Sequence, residues 1–197
     1  KELQNIPKEY SRLGKTIINY VIRGYYPDIP SAVESLRKID FDISKNLPKE
    51  YSDLSKTIRH LIFVKKYSNV IFAVETLRKI DLDMSKNLPK EYSDLSKTIR
   101  GLVFSKIYPN VTFAIESLRK IDLALSKELP SEYYDLRKTI RRLVFGKAYP
   151  NVASAVEVLR KIDLDISKNL PPESSDLRKT IRHLIFGKNY SNVISAV

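Results

Sequence analysis

Cysteine is missing from this chain, and with it go a disulfide framework, a thiolate zinc site and a thiol nucleophile. Glycine is scarce as well: five in 197 residues are too few for a glycine-rich phosphate loop, and neither an HExxH pair nor a nucleophile elbow occurs. No apolar run approaches the ~18 residues of a membrane-spanning helix, and no apolar stretch behind a basic start marks a signal peptide. Asp81 and Asp83 in IDLD lack the glycine turn and the further oxygen ligands of a calcium loop. These absences predict a protein that is not an enzyme and has neither a metal nor a cofactor. What is present is a composition of 43% apolar and 29% charged residues, which excludes a disordered tail or a collagen. Basic residues exceed acidic ones by 35 to 23, a net charge of +12 that favours an acidic partner: nucleic acid, an anionic surface or an acidic protein segment.

The chain is a tandem repeat. Pro7, Pro48, Pro89, Pro130 and Pro171 stand 41 residues apart without insertions, and the copies that begin at Pro48 and Pro89 share PKEYSDLSKTIR and LRKID. The copies run 7–47, 48–88, 89–129, 130–170 and 171–197, the last incomplete, so the whole of 1–197 is expected to be one array cut from a longer protein. The only two histidines, His60 and His183, occupy the same place in the second and fifth copies and make no metal pair.

Each copy holds two helical patterns. In the third, Leu88, Tyr92, Leu95, Ile99 and Leu102 step by four and three, the amphipathic helix period, which predicts helix A of about 18 residues with Pro89 in its first turn. An N-cap follows at Asp28, Asn69, Asn110, Asn151 and Asn192. Helix B, of about 15 residues, carries Val111, Ala114, Ile115, Leu118, Ile121 and Leu125 on its inner face. Ala114 and its counterparts Ala32, Ala73, Ala155 and Ala196 are expected at the closest approach of two helices. Asp40, Asp81, Asp122 and Asp163, at the edge of that face, are expected to bind a basic side chain or an N–H of the next copy. Two helices with short connections fill 41 residues and leave no room for strands. One such pair cannot bury both apolar faces alone, so the predicted fold is all-α, a right- or left-handed superhelical α-solenoid of about five two-helix repeats.

In period and in helical-hairpin content the chain resembles the HEAT and armadillo class of repeats, a likeness that spans its whole length. Ser85-Lys86-Asn87-Leu88-Pro89 is also similar to the Ser-Lys-Trp-Pro motif of bacterial effector repeats, though the tryptophan is absent and one residue is added. That second likeness implies a secreted bacterial protein acting inside a host cell; a cytoplasmic protein is the alternative, and the sequence leaves the location open. The first copy departs from the rest, with Ile18, Asn19, Tyr20 and Gly24 where the second has Arg59, His60, Leu61 and Lys65. It is either an atypical terminal repeat or the boundary with a preceding segment.

Five columns are candidates for function. Lys56, Lys97, Lys138 and Lys179 form one on helix A, with Lys15 at its head, and Arg59, Arg100, Arg141 and Arg182 another. Phe63, Phe104, Phe145 and Phe186 follow each Arg by four residues. A basic ladder interleaved with aromatics suits an extended polyanion, while packing of the Phe and pairing of the Arg with acids of the next copy would make the same columns structural. Two further columns vary: His60, Gly101, Arg142 and His183, and Val64, Ser105, Gly146 and Gly187. Drift at exposed sites explains such variation, and so does recognition by a few side chains per repeat. The resulting expectation is a non-enzymatic scaffold that binds a protein or an acidic peptide along helix A. Single-stranded nucleic acid, held by the basic and aromatic ladder, is the alternative.

Overall fold

The computed structural model describes residues 2–197. Its α-helices are α1 (Gly14–Ile22), α2 (Ile29–Asn46), α3 (Ser55–Phe63), α4 (Val70–Asn87), α5 (Ser96–Phe104), α6 (Val111–Glu128), α7 (Arg137–Phe145), α8 (Val152–Asn169), α9 (Arg178–Phe186) and α10 (Val193–Ala196), and among the described residues there is no strand. The fold is all-α, a succession of packed helix pairs. The chain divides into two compact units, one running through Ile107 and the other Tyr108–Val197. In the first, α2 packs on α1, α3 and α4, and α4 on α5; in the second, α6 packs on α7 and α8, and α8 on α7, α9 and α10.

Helix B (α2, α4, α6, α8) owes both of its ends to short signals. At the start the Asp28 or Asn side chain accepts the N–H three residues on, from Ser31, Phe72, Phe113, Ser154 and, in α10, Ser195. Such a cap is worth ~1 kcal/mol. At the other end Leu47, Leu88, Leu129 and Leu170 precede prolines, which exclude the helical region, and their ψ of 112–123° ends the helix. Between these signals the helix runs 18 residues, longer than its apolar pattern suggests. Its inner face in α6 is Val111, Ala114, Ile115, Leu118 and Leu125, all buried. Ala32, Ala73, Ala114 and Ala155 are fully buried, which puts a methyl group where a larger side chain would hold neighbouring elements apart.

Helix A differs from its expected form. The proline lies outside it, extended at φ −62°, ψ 151° for Pro89, and six residues of 3₁₀ helix follow (Lys8–Leu13, Lys49–Leu54, Lys90–Leu95, Ser131–Leu136, Pro172–Leu177) before nine residues of α-helix. Spacing explains the change. Tyr51 and Leu54, or Tyr92 and Leu95, are three apart, and three residues per turn stack them on one buried face. The α-helix then continues the face with Ile58 and Leu61.

Candidate functional site

The arginine column is occupied. Arg59, Arg100, Arg141 and Arg182 each donate from Nε to Oδ1 of the aspartate 19 residues earlier, Asp40, Asp81, Asp122 and Asp163, at 2.7, 2.9, 2.9 and 3.0 Å. Helix B of one copy thus holds helix A of the next, as the position of the aspartates predicts. A tyrosine of the 3₁₀ segment completes the group: Tyr10 donates to Asp40 at 3.2 Å. Burial, followed by hydrogen bonding to Asp81 and to Asp163, raises the hydroxyl pKa of Tyr51 and pushes that of Tyr133 up to about 12. The Arg100 and Arg182 guanidinium groups also lie 5.7 and 5.3 Å from the ring centres of Tyr51 and Tyr133. The guanidinium groups of Arg100, Arg141 and Arg182, engaged in this way and mostly enclosed, are fixed parts of the packing, while Arg59 is the most exposed of the four.

The phenylalanine column presents no ring face on the open surface. Phe63, Phe104, Phe145 and Phe186 are at most 1% exposed. The expectation missed what covers them, the tyrosine of the preceding copy's turn: Tyr26, Tyr67, Tyr108 and Tyr149 stack on the four rings at centroid distances of 5.0, 4.9, 4.9 and 5.4 Å. Tyr26, Tyr67 and Tyr108 also donate to the Phe63, Phe104 and Phe145 carbonyls. Two residues beyond each Phe, Lys65, Lys106, Lys147 and Lys188 adopt φ near +60°. They close helix A through paired bonds such as Lys65 N–H to Ile62 and Lys66 N–H to Leu61. Left-handed lysine costs ~1–2 kcal/mol, and its ammonium is set over the same tyrosine ring at 5.2–6.0 Å. The sequence held a signal for this group, since Tyr, Phe and Lys all recur every 41 residues, but nothing in one copy says which ring of its neighbour it meets.

The lysine column and the variable columns remain at the surface. Lys56, Lys97, Lys138 and Lys179 are exposed, as are His60, Arg142, His183, Gly146 and Gly187, while Val64, Gly101 and Ser105 are half-buried. The second variable column closes helix A: Val64, Ser105, Gly146 and Gly187 donate their N–H to the carbonyls of His60, Gly101, Arg142 and His183, the first variable column. Among the described residues no helix is long and apolar enough to cross a membrane.

In the first unit some of these residues converge. Arg12, Lys56, Arg59 and His60 ring a cavity of about 160 Å³ whose floor is Leu13, Leu36 and Phe63. Its place is the junction of the first and second copies, and every lining residue has a counterpart 41 positions on, at the second junction: Asp53, Leu54, Leu77, Lys97, Arg100, Gly101 and Phe104. The apolar residues are the same or equivalent. The rim is not, because Arg12 is replaced by Asp53, and Asp53 takes Lys97 at 3.2 Å. Among protein families, curated proteins and solved structures, none matches the chain.

Proposed function

We propose that this protein is a non-enzymatic, HEAT-like repeat scaffold that binds an acidic polypeptide segment along its helix A surface. The observation that carries the reading is the exposed lysine column beside the apolar-floored cavity ringed by Arg12, Lys56, Arg59 and His60. Cations over an apolar floor suit acidic side chains interspersed with apolar ones, where the floor supplies burial and the cations supply orientation and a fast encounter. The period of 41 residues and the two-helix unit support the HEAT-like assignment. Burial of the four phenylalanines removes the ring faces on which single-strand binders stack bases. What remains of the helix A ladder for nucleic acid is its charge.

Fluorescence anisotropy tests this. A labelled peptide of alternating glutamate and leucine is expected to bind more tightly than a single-stranded oligonucleotide of equal charge, with a shallow dependence on salt. An oligonucleotide that binds more tightly, with log affinity falling steeply and linearly with log salt, would overturn the reading.

A further inference from the structure

We propose that the cavity at the first junction is an anion-binding pocket for a carboxylate next to one apolar side chain, the C-terminal residue of an acidic partner segment. The inference rests on the reading of the protein as a binder of acidic polypeptide and supplies the point at which that segment ends.

The argument begins with a reversed charge. At the second junction a carboxylate, Asp53, neutralises the lysine of the following copy, Lys97. In the second unit the equivalent Asp135 lies 3.9 Å from Arg182. At the first junction that position is Arg12, so Arg12 and Lys56 line one cavity, and neither has a carboxylate partner among the described residues. Two unpaired cations on one cavity repel each other, and an anion between them turns repulsion into attraction on both sides.

Arg59 adds to this. It spends only Nε on Asp40, as Arg100 does on Asp81, whereas Arg141 and Arg182 give both Nε and Nη2 to their aspartates, and its side chain is the most exposed of the four, 34% against 20% for Arg100. The planar forks of Arg12 and Arg59 match the two oxygens of a carboxylate. His60, where the second junction has Gly101, brings one more donor to the rim.

The floor sets the rest of the ligand. Leu36 and Phe63 are fully buried and Leu13 half-buried, and none offers a side-chain hydrogen bond. The space of about 160 Å³ is comparable to the ~150 Å³ apolar cavity that takes one benzene. One leucine-sized or phenyl-sized group fills it, with its charge left at the rim. A chain-terminal leucine or phenylalanine has this build, and so does a free small carboxylate such as N-acetyl-leucine.

The test uses the whole chain and a fluorescein-labelled peptide of six acidic residues ending in leucine, made as the free acid and as the carboxamide. The free acid is expected to bind at least about tenfold more tightly, the effect of hydrogen bonds to a charged group. Arg12→Asp, which installs the carboxylate of the second junction, should abolish that preference while circular dichroism stays unchanged, and Lys56→Gln should reduce it. Equal binding of acid and carboxamide would overturn the pocket even though both peptides still supported the acidic-segment reading. If neither peptide bound, the acidic-segment reading itself would fall. N-acetyl-leucine is expected to compete weakly with the free-acid peptide; binding as tight as the peptide's would overturn the chain-end assignment in favour of a free small carboxylate.

Discussion

At the first junction Arg12 and His60 stand over Leu13, Leu36 and Phe63; at the second, Asp53 and Gly101 occupy the matching rim and Leu54, Leu77 and Phe104 the matching core. The contrast separates two kinds of column. Core columns repeat because each side chain is enclosed: Phe63 and Phe104 are stacked by Tyr26 and Tyr67 and cannot change volume cheaply. On the rim, Lys56 and Arg59 recur as Lys97 and Arg100, while the positions of Arg12 and His60, which meet solvent, change. A Cβ added at Gly101 would find nothing within 4 Å, so a side chain can leave the backbone there without a clash. One or two rim substitutions thus reverse the charge of a junction without rebuilding its core.

Phe63→Ala and Phe104→Ala should have the largest effects, and similar ones, since the two junctions share their core. Each removes a fully buried ring and its stacking partner's contact, at ~3–5 kcal/mol. Urea unfolding that found either variant as stable as the parent would show that the stacked Tyr and Phe are dispensable.

The next test asks how equal the Arg–Asp ties are. Asp40→Ala and Asp81→Ala each strand an arginine and a tyrosine hydroxyl, at about 1–2 kcal/mol. The loss should be larger for Asp81, whose partner Arg100 has a side chain 20% exposed against 34% for Arg59. Equal losses would mean that burial at the two ties is the same in solution.

Alkali probes the tyrosines common to both junctions. Burial raises the pKa of Tyr10, Tyr26, Tyr51 and Tyr67 above the usual 10, and raises Tyr133 of the second unit to about 12. The unfolded chain releases these protons first, so stability is level below pH 10 and falls as pH rises from 10 towards 12. The tyrosinate absorbance of these enclosed residues near 295 nm should therefore appear late, in step with unfolding. Ordinary titration of all twelve tyrosines around pH 10 with the helices intact would contradict the enclosed hydroxyls.

The smallest effect on stability belongs to the rim itself. Arg12→Asp and Asp53→Arg each replace one exposed side chain and should shift unfolding by less than about 0.5 kcal/mol. A larger shift would show that Arg12 takes part in the packing.

Much of the fold was legible in the sequence, because a 41-residue spacing and a 3.6-residue period report directly on repeats and helices. Leu118 and Ala114 fall on the buried face where the period puts them, and Asn110 caps α6. The 3₁₀ entry of helix A was less visible, since Tyr92 and Leu95 fit a helix of either pitch. The site was only half legible. Lys56 and His60 are at the surface, but Phe63 and its counterparts are not, because the tyrosine that covers each comes from 37 residues earlier in the preceding copy. Arg12 carries no periodic signal, because it stands alone where the later copies have Asp53, Asp94, Asp135 and Asp176.

Chemical-shift mapping of the two junctions with N-acetyl-leucine is the most direct measurement of what the rim does. In the parent protein the amides around Lys56 and His60 should shift on titration while those around Lys97 and Gly101 stay still. In a variant with Asp53→Arg and Gly101→His, the second set should shift as well. Equal shifts at both junctions of the parent, or none at either, would contradict the claim that the reversed charge at Arg12 makes the pocket.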